Sequence, residues 1–250
     1  MISKNDIKFI NSLHRKKGRD AESQYLIEGV KLVGEAIASG AELLMLYATD
    51  ESLIEHSRLQ GIETEVISKK AMERITGLNS ASPLLAIAKK VKPDFEMRKF
   101  EKERFVMLDG IRDPGNLGTI IRTCEWFGIK QIIASNDTVD LYNGKVIQST
   151  MGSMFRVDVC YLDLREFLQG LAPWKLNIPV YGAVLNGDPL AENMKNTDEN
   201  GCLVIGSESH GISEPVLSLC SHKLTIKGIG NTESLNAAIS ASILMYEWTR

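Results

Sequence analysis

The sequence predicts an α/β protein of two domains, the second built on a parallel sheet. Three observations predict it. Strand and helix signals alternate along the chain, several strands are continuous apolar runs, and one charge-dense stretch interrupts the pattern. Continuous apolar strands mark sheets covered on both faces, which are typically parallel sheets with helical crossovers. A chain of 250 residues can bury a core in one large domain or in each of two small ones.

Taken in order, residues 4–16 read as a helix, because Ile7, Phe9, Ile10 and Leu13 recur at helical spacing. Residues 25–28 (YLIE) form a short strand, and Val30 to Ala38 a helix closed by Gly40. Residues 43–48 (LLMLYA) are an apolar strand, 52–60 a helix ending at Gly61, and 62–67 a strand. Ser68 caps a helix over 69–76, and 84–88 (LLAIA) is the last strand of this part. Residues 89–104 are dense in charge, contain Pro93 and lack apolar periodicity. They mark a boundary, with domains at 1–95 and 104–250 joined by 96–103. Beyond it, 105–108 is a strand, followed by the loop 109–118 and a helix from about Thr119 to Phe127. Strands follow at 129–134, 156–161, 178–184, 202–205 and 224–226, with a helix at 143–151. A long helix runs from about Glu233 to Trp248.

Composition narrows the function classes. The apolar share of 44% and charged share of 24% are those of a globular protein. No apolar run approaches the roughly 18 residues of a membrane span, and the polar start lacks a signal-peptide core. Cys124, Cys160, Cys202 and Cys220 form no CxxC or CxxH pair, so neither a zinc knuckle nor a disulfide frame is expected. A cytoplasmic protein without a metal and without a membrane contact is the expectation. The net charge is −3, yet Lys4, Lys8, Arg15, Lys16, Lys17 and Arg19 face only Asp6 in the first 19 residues. That stripe either meets a phosphate backbone or is a solvated helix face.

Three glycine-bearing loops follow predicted strands, at 109–118, 206–211 and 228–231. Ligands of open parallel sheets sit outside the carboxyl ends of the strands, so three such loops point to one shared pocket. The dinucleotide fingerprint GxGxxG and the P-loop GxxxxGK[ST] are both absent. Asn116 stands just ahead of a helix and Arg122 lies within it, among apolar neighbours. Arg122 then reaches a carboxylate in a structural ion pair, reaches an anion, or extends to solvent. Glu208 either holds its loop by accepting backbone N–H groups or pairs with Arg122. Ser234 reads as a helix cap, and Asn236 lies further in.

Residues 116–128 (NLGTIIRTCEWFG), 203–213 (LVIGSESHGIS) and the pair 226–230 with 233–240 resemble the three motifs of the SpoU (TrmH-like) RNA 2′-O-ribose methyltransferases of the SPOUT superfamily. They stand in order and at family spacing. Residues 148–156 (QSTMGSMFR) resemble the family's stretch between its first two motifs. Residues 26–30 (LIEGV) and 81–88 (ASPLLAIA) resemble its ribosomal-protein-like RNA-binding domain, so the resemblance covers nearly the whole chain.

The resemblance implies an RNA substrate-binding domain over 1–95 and a catalytic domain over 104–250 with a trefoil knot, a rare exception to unknotted topology. It implies S-adenosyl-L-methionine (AdoMet) as methyl donor and a homodimer with the pocket at the subunit contact. Asn116, Arg122, Glu208, Ser234 and Asn236 become the polar site residues. Gly206, Ile226, Leu235, Leu203 and Gly230 become cofactor contacts. Arg15, Lys16, Lys17 and Arg19 become the RNA-phosphate patch. The expected substrate is structured RNA, ribosomal RNA ahead of tRNA. Where the family has Ile-Pro-Met, this chain has Ile226, Lys227 and Gly228, a less rigid turn. Arg122 is either proton acceptor or phosphate clamp, and His210 is a rival base. An apolar face on the last helix, from Leu235 through Ile239, Ile243, Leu244 and Tyr246, either fills the core or meets a second copy. The alternative function is a non-catalytic RNA-binding protein that retains the fold.

Overall fold

A computed structural model describes residues 2–53, 61–91, 100, 103–171, 178–189 and 200–250. The chain divides into two compact units, one of Met1–Lys92 with Asp140–Phe155, the other of Pro93–Val139 with Arg156–Arg250. The helix predicted at 52–60 and most of the 96–103 linker lie outside the described residues.

The first unit holds a four-stranded mixed sheet in the order β1-β4-β2-β3, from Gln24–Glu28 (β1), Leu43–Ala48 (β2), Thr64–Val66 (β3) and Leu84–Lys89 (β4). β4 runs antiparallel to both β1 and β2, while β3 is parallel to β2. The helix predicted at 4–16 ends at Leu13 (α1, Lys4–Leu13), and an unpredicted helix follows (α2, Lys16–Glu22), with α3 at Val30–Ala38 and a short α4 at Lys69–Met72. α1 starts with a capping box between Ser3 and Asp6 and puts Ile7, Ile10 and Leu13 into a core with Leu26, Met72 and Leu85. α2 is hidden in the sequence because its seven residues, KKGRDAE, carry no apolar stripe.

The segment Asp140–Phe155 is built into this same unit although it follows the second domain's first strands in sequence. Tyr142 lies 4.5 Å from Tyr25 between ring centroids, and its hydroxyl donates to the Val91 carbonyl at 3.1 Å. Gln148 donates to the Glu28 carbonyl at 2.7 Å. Arg19 clasps Asp140 through Nε and Nη2, at 3.1 and 2.6 Å, while its Nη1 reaches the carbonyls of Leu13 and His14. This corrects the expected phosphate patch. Arg19 is 3% exposed, with every guanidinium nitrogen engaged inside the unit, whereas Arg15, Lys16 and Lys17 are exposed.

The second unit holds a six-stranded sheet, all parallel, in the order β10-β8-β9-β5-β6-β7. Its strands are Arg104–Asp109 (β5), Gln131–Ala134 (β6), Asp158–Tyr161 (β7), Val180–Pro189 (β8), Gly201–Gly206 (β9) and His222–Thr225 (β10). The parallel sheet expected from the apolar runs is therefore present. Phe100, placed in the linker by sequence, is a buried part of this unit. It joins Phe105, Met107, Ile133, Cys202 and Val204 in a core that a helix at Leu164–Leu171 completes.

The helices from here on are α5 (Pro114–Trp126), α6 (Gly144–Thr150), α7 (Leu164–Leu171), α8 (Glu214–Leu217) and α9 (Ala237–Thr249). Of these, α6 belongs to the first unit and the others to the second. α5 and α9 pack on each other. Thr123 and Ser242 hydroxyls meet at 3.3 Å, and Cys124 and Met245 sulfurs at 3.6 Å.

Both site helices begin elsewhere than the sequence suggests. α5 starts at Pro114, five residues before Thr119, because Asp113 accepts the Asn116 N–H at 2.8 Å and Pro114 needs no N–H partner. Asn116 is therefore inside the first turn. α9 starts at Ala237, capped by Asn236 and not by Ser234.

Candidate active site

The site forms at the carboxyl ends of adjacent strands β5 and β9, joined by the start of α9. At the end of β9 the chain turns back on itself. Ser207 and Gly211 exchange N–H···O bonds at 3.1 and 2.8 Å, closing a five-residue turn around Glu208. A side chain at Gly206 would lie 2.1 Å from the Gly211 carbonyl carbon, so only glycine lets the backbones approach this closely. Gly211 itself has φ of +65°. The next segment is tied to the β5 loop, with the Ser213 N–H donating to Asp109 Oδ2 at 2.7 Å.

Three predicted side chains meet here. Asn236 Oδ1 accepts the N–H groups of Ala238 and Ile239 at 3.0 and 3.3 Å, which caps α9. Asn236 Nδ2 donates to Asn116 Oδ1 at 2.9 Å. Asn116 Nδ2 donates in turn to Glu208 Oε1. Each of the three sequence motifs thus supplies one member of a continuous hydrogen-bonded chain. Glu208 does not pair with Arg122, the alternative that the sequence leaves open.

Arg122 is exposed and pairs with no carboxylate among the described residues. It stands six positions after Asn116, about 240° around the helix, so the two side chains leave different faces. Trp126, one turn on, is 84% exposed. Ser234 is exposed in the loop before α9 and makes no hydrogen bond to another described residue, so the structure does not bring it to the asparagine chain. His210 donates its backbone N–H to Ser207 Oγ at 3.3 Å, and the residue is exposed, with no side-chain hydrogen bond to another described residue. The thiols of this unit are no better as bases. Burial alone pushes Cys124 well above the ordinary thiol range, and Cys220 is raised to about 11, mainly by burial.

The expected cofactor contacts divide. Leu203 is fully buried in β9, in the sheet interior. Gly206 is half-buried at the strand end and Ile226 is half-buried after β10. Gly228 and Gly230 have open space where a side chain would be, and Ile229 and Leu235 expose apolar surface in the same loop. Ile226, Ile229 and Leu235 offer aliphatic surface at this loop and Gly228 and Gly230 leave its backbone uncovered, chemistry that suits a ligand with an apolar face.

Sequence reasoning misses Asp113 and Asp109, which hold the first loop. The Asp-Pro pair at 113–114 is the available signal for the first. It also misses a second brace. Ser135 Oγ accepts the Gly110 N–H at 2.9 Å and donates to Asp137 Oδ1 at 2.7 Å, and Arg112 pairs with Asp137 at 3.0 Å. The Ser135 and Arg112 bonds hold the Asp137 carboxyl below its usual range. No group of three or more potential metal ligands occurs among the described residues.

Comparison with known proteins identifies the family. Residues 103–246 match the model of the SpoU rRNA Methylase family, and residues 4–86 that of the MRM3-like substrate binding domain. The chain is 31% identical over 241 residues to the 23S rRNA (guanosine(2553)-2′-O)-methyltransferase RlmP of Bacillus subtilis, covering 96% of this chain and 94% of that one. Among solved structures, a TrmH-family protein from Porphyromonas gingivalis is 34% identical with a TM-score of 0.85, covering 99% and 98% of the two chains. The AdoMet-bound rRNA methyltransferase of Sinorhizobium meliloti is 25% identical, also with a TM-score of 0.85, over 99% and 95%. With the family match spanning more than half of the chain and the site motifs joined in space, the protein belongs to the SpoU rRNA methylase family.

Proposed function

We propose that the protein methylates a ribose 2′-hydroxyl of structured RNA, with AdoMet as donor and ribosomal RNA as substrate. One observation carries the reading: Asn116, Glu208 and Asn236, drawn from three separate motifs, form one hydrogen-bonded chain at the strand ends. The names of relatives support the substrate, since the Bacillus subtilis enzyme acts on 23S rRNA. They support the donor as well, since the Sinorhizobium meliloti enzyme was solved with AdoMet.

Gly206, Ile226, Gly230 and Leu235 would hold the cofactor, with Leu203 as the buried floor beneath the strand end. When bound, AdoMet supplies an electrophilic methyl carbon that passes to the 2′-oxygen as the carbon–sulfur electron pair returns to sulfur. Placement does much of the work in such an in-line displacement, and the closed Ser207–Gly211 turn and the two helix caps provide rigid placement. The 2′-hydroxyl must also lose its proton. Arg122 either accepts it or clamps the adjacent phosphate. Its exposure without a partner among the described residues leaves the guanidinium available to clamp a phosphate, whereas a solvated guanidinium holds its proton and is a reluctant base.

Further parts of the reading concern assembly and place. Exposed Trp126, Ile239 and Tyr246 put apolar surface on the packed pair α5 and α9, which supports a homodimer formed there; Leu244 is buried and serves the core. The family's trefoil knot belongs to the same reading. Arg15, Lys16 and Lys17, without Arg19, form the RNA patch. An rRNA substrate supports the cytoplasm as the site of action, and no described helix is long and apolar enough to cross a membrane.

The test is transfer of labelled methyl from AdoMet to rRNA, with ribose methylation mapped in total RNA with and without the protein. A site lost in its absence is the expected result. AdoMet binding without any transfer to RNA would overturn the reading.

A further inference from the structure

The asparagine chain has a direction, and the helix cap sets it. The backbone N–H groups of Ala238 and Ile239 can only donate, so the Asn236 atom facing them at 3.0 and 3.3 Å must be the carbonyl oxygen. The amide nitrogen of Asn236 is then left to point outward as a donor. It meets Asn116 at 2.9 Å, which obliges Asn116 to present its oxygen there and its nitrogen to Glu208. Two ambiguous amides are thereby oriented by one helix terminus. Asn116 is held independently by its own backbone, whose N–H binds Asp113 at 2.8 Å. The far end of the chain is a carboxylate, which can only accept. One oxygen of Glu208 is taken by Asn116. The other, Oε2, accepts nothing among the described residues, and the residue is exposed.

We propose that Asn236 and Asn116 are positioning residues that transmit the polarity of the α9 cap to Glu208, fixing its free carboxylate oxygen as acceptor for a hydroxyl of the substrate ribose. Glu208 touches substrate, and the two asparagines act through it. This rests on the methyltransferase reading above. It adds that the order of donors and acceptors matters, and not only the presence of three polar side chains.

The direction can be reversed by chemistry. Asn236→Asp keeps an acceptor for the α9 N–H groups and so keeps the cap, but it removes the donor toward Asn116. The Asn116 amide must then turn, presenting nitrogen to position 236 and oxygen to Glu208, where two acceptors oppose each other. The loss of this charge-assisted bond is expected to lower kcat by about 10- to 100-fold. KM for AdoMet and the melting temperature should stay near wild type. Glu208→Gln alone leaves an amide nitrogen facing the substrate and is also expected to lose activity. Combined with Asn236→Asp, however, the new glutamine can donate to the turned Asn116 and keep its oxygen free for the ribose. The double variant should therefore keep at least about tenfold more activity than the product of the two single losses predicts, a rescue of kcat at unchanged melting temperature that a merely structural role would not produce.

The experiment measures kcat, KM for AdoMet and KM for rRNA on wild type, both singles and the double. Near-normal kcat in Asn236→Asp, or losses that simply multiply in the double, would overturn the relay. A wild-type protein that binds AdoMet but transfers no methyl to any RNA would instead overturn the functional reading, and the two failures are distinct.

Discussion

The two units use charged side chains in opposite ways. In the N-terminal unit Arg19 and Glu28 are buried and fully engaged. Arg19 directs its guanidinium to Asp140 and two carbonyls, and Glu28 accepts from the Thr76 hydroxyl at 2.5 Å and the Gly77 N–H at 3.0 Å. In the C-terminal unit Arg122 and Glu208 are exposed and keep unused bonding capacity. A buried charge with every atom engaged maintains a fold, because its removal strands the partner in a low dielectric. An exposed charge on a rigid element with capacity to spare contributes little to stability and is available to a ligand. Residue type alone does not separate these cases; the number of bonds left open does.

The sharpest way to break the contrast is Arg122→Ala. The expected loss of methyl transfer is about 10²-fold or more, the usual worth of a positioned proton-transfer group, with AdoMet affinity and melting temperature retained. A stable Arg122→Ala protein with near-normal turnover would remove Arg122 from the chemistry. Arg122→Lys refines the result. Lysine keeps a charge for a phosphate clamp, so activity partly survives, whereas a proton acceptor of lower pKa shifts the rate profile toward lower pH.

Arg19→Ala should do the reverse, acting on stability first. Stranding the part-buried Asp140 is expected to cost up to about 3–5 kcal/mol in denaturant unfolding. Replacing both partners together, as in Arg19→Met with Asp140→Leu, should recover much of that loss. If Arg19→Ala unfolds like wild type but binds RNA weakly, Arg19 belongs to the phosphate patch after all.

A smaller effect is expected from reversing Arg15, Lys16 and Lys17 to glutamate. RNA affinity should fall and its dependence on salt should flatten, by a slope of about 0.7–0.9 for each phosphate no longer neutralised. Unchanged affinity in a salt titration would return these residues to a solvated face.

The smallest effect concerns Asp137. Its folded pKa lies below the ordinary carboxylate value, so its contribution to stability is present above about pH 4 and fades as pH falls through the lowered folded value. Asp137→Asn should therefore narrow the stability difference between near-neutral and acid pH slightly, by an amount limited by its exposure. A melting profile unchanged by the substitution at every pH would show that the Arg112–Asp137 brace adds nothing.

Most of the second sheet is legible in the sequence, because strands buried on both faces must be apolar throughout, as in residues 202–205. The three site motifs are legible by resemblance, and the chain from Asn116 through Glu208 to Asn236 shows that they converge. Helix starts are harder. Gly115 and Gly118 make the first turn of α5 look like loop, although Asp113 and Pro114 announce it. The helix over Leu164–Leu171 is absent from the sequence reading, yet Leu164, Phe167, Leu168 and Leu171 stand at helical spacing and signal it. The fate of Arg19 is not legible. Its neighbours Lys16 and Lys17 suggest a stripe, and only the return of Asp140, 121 residues later, reveals a buried pair.

That return makes the N-terminal unit discontinuous along the chain. Its first stretch ends at Lys92 and its last piece begins at Asp140, so Pro93–Val139 of the other unit must be synthesised between them. At roughly 5–20 residues per second, the emerging first domain waits on the order of 2–10 s for the strap that neutralises Arg19 and covers Tyr25. During translation, therefore, a member of a family that modifies the ribosome's RNA has its own first domain held under a delay set by the ribosome's speed.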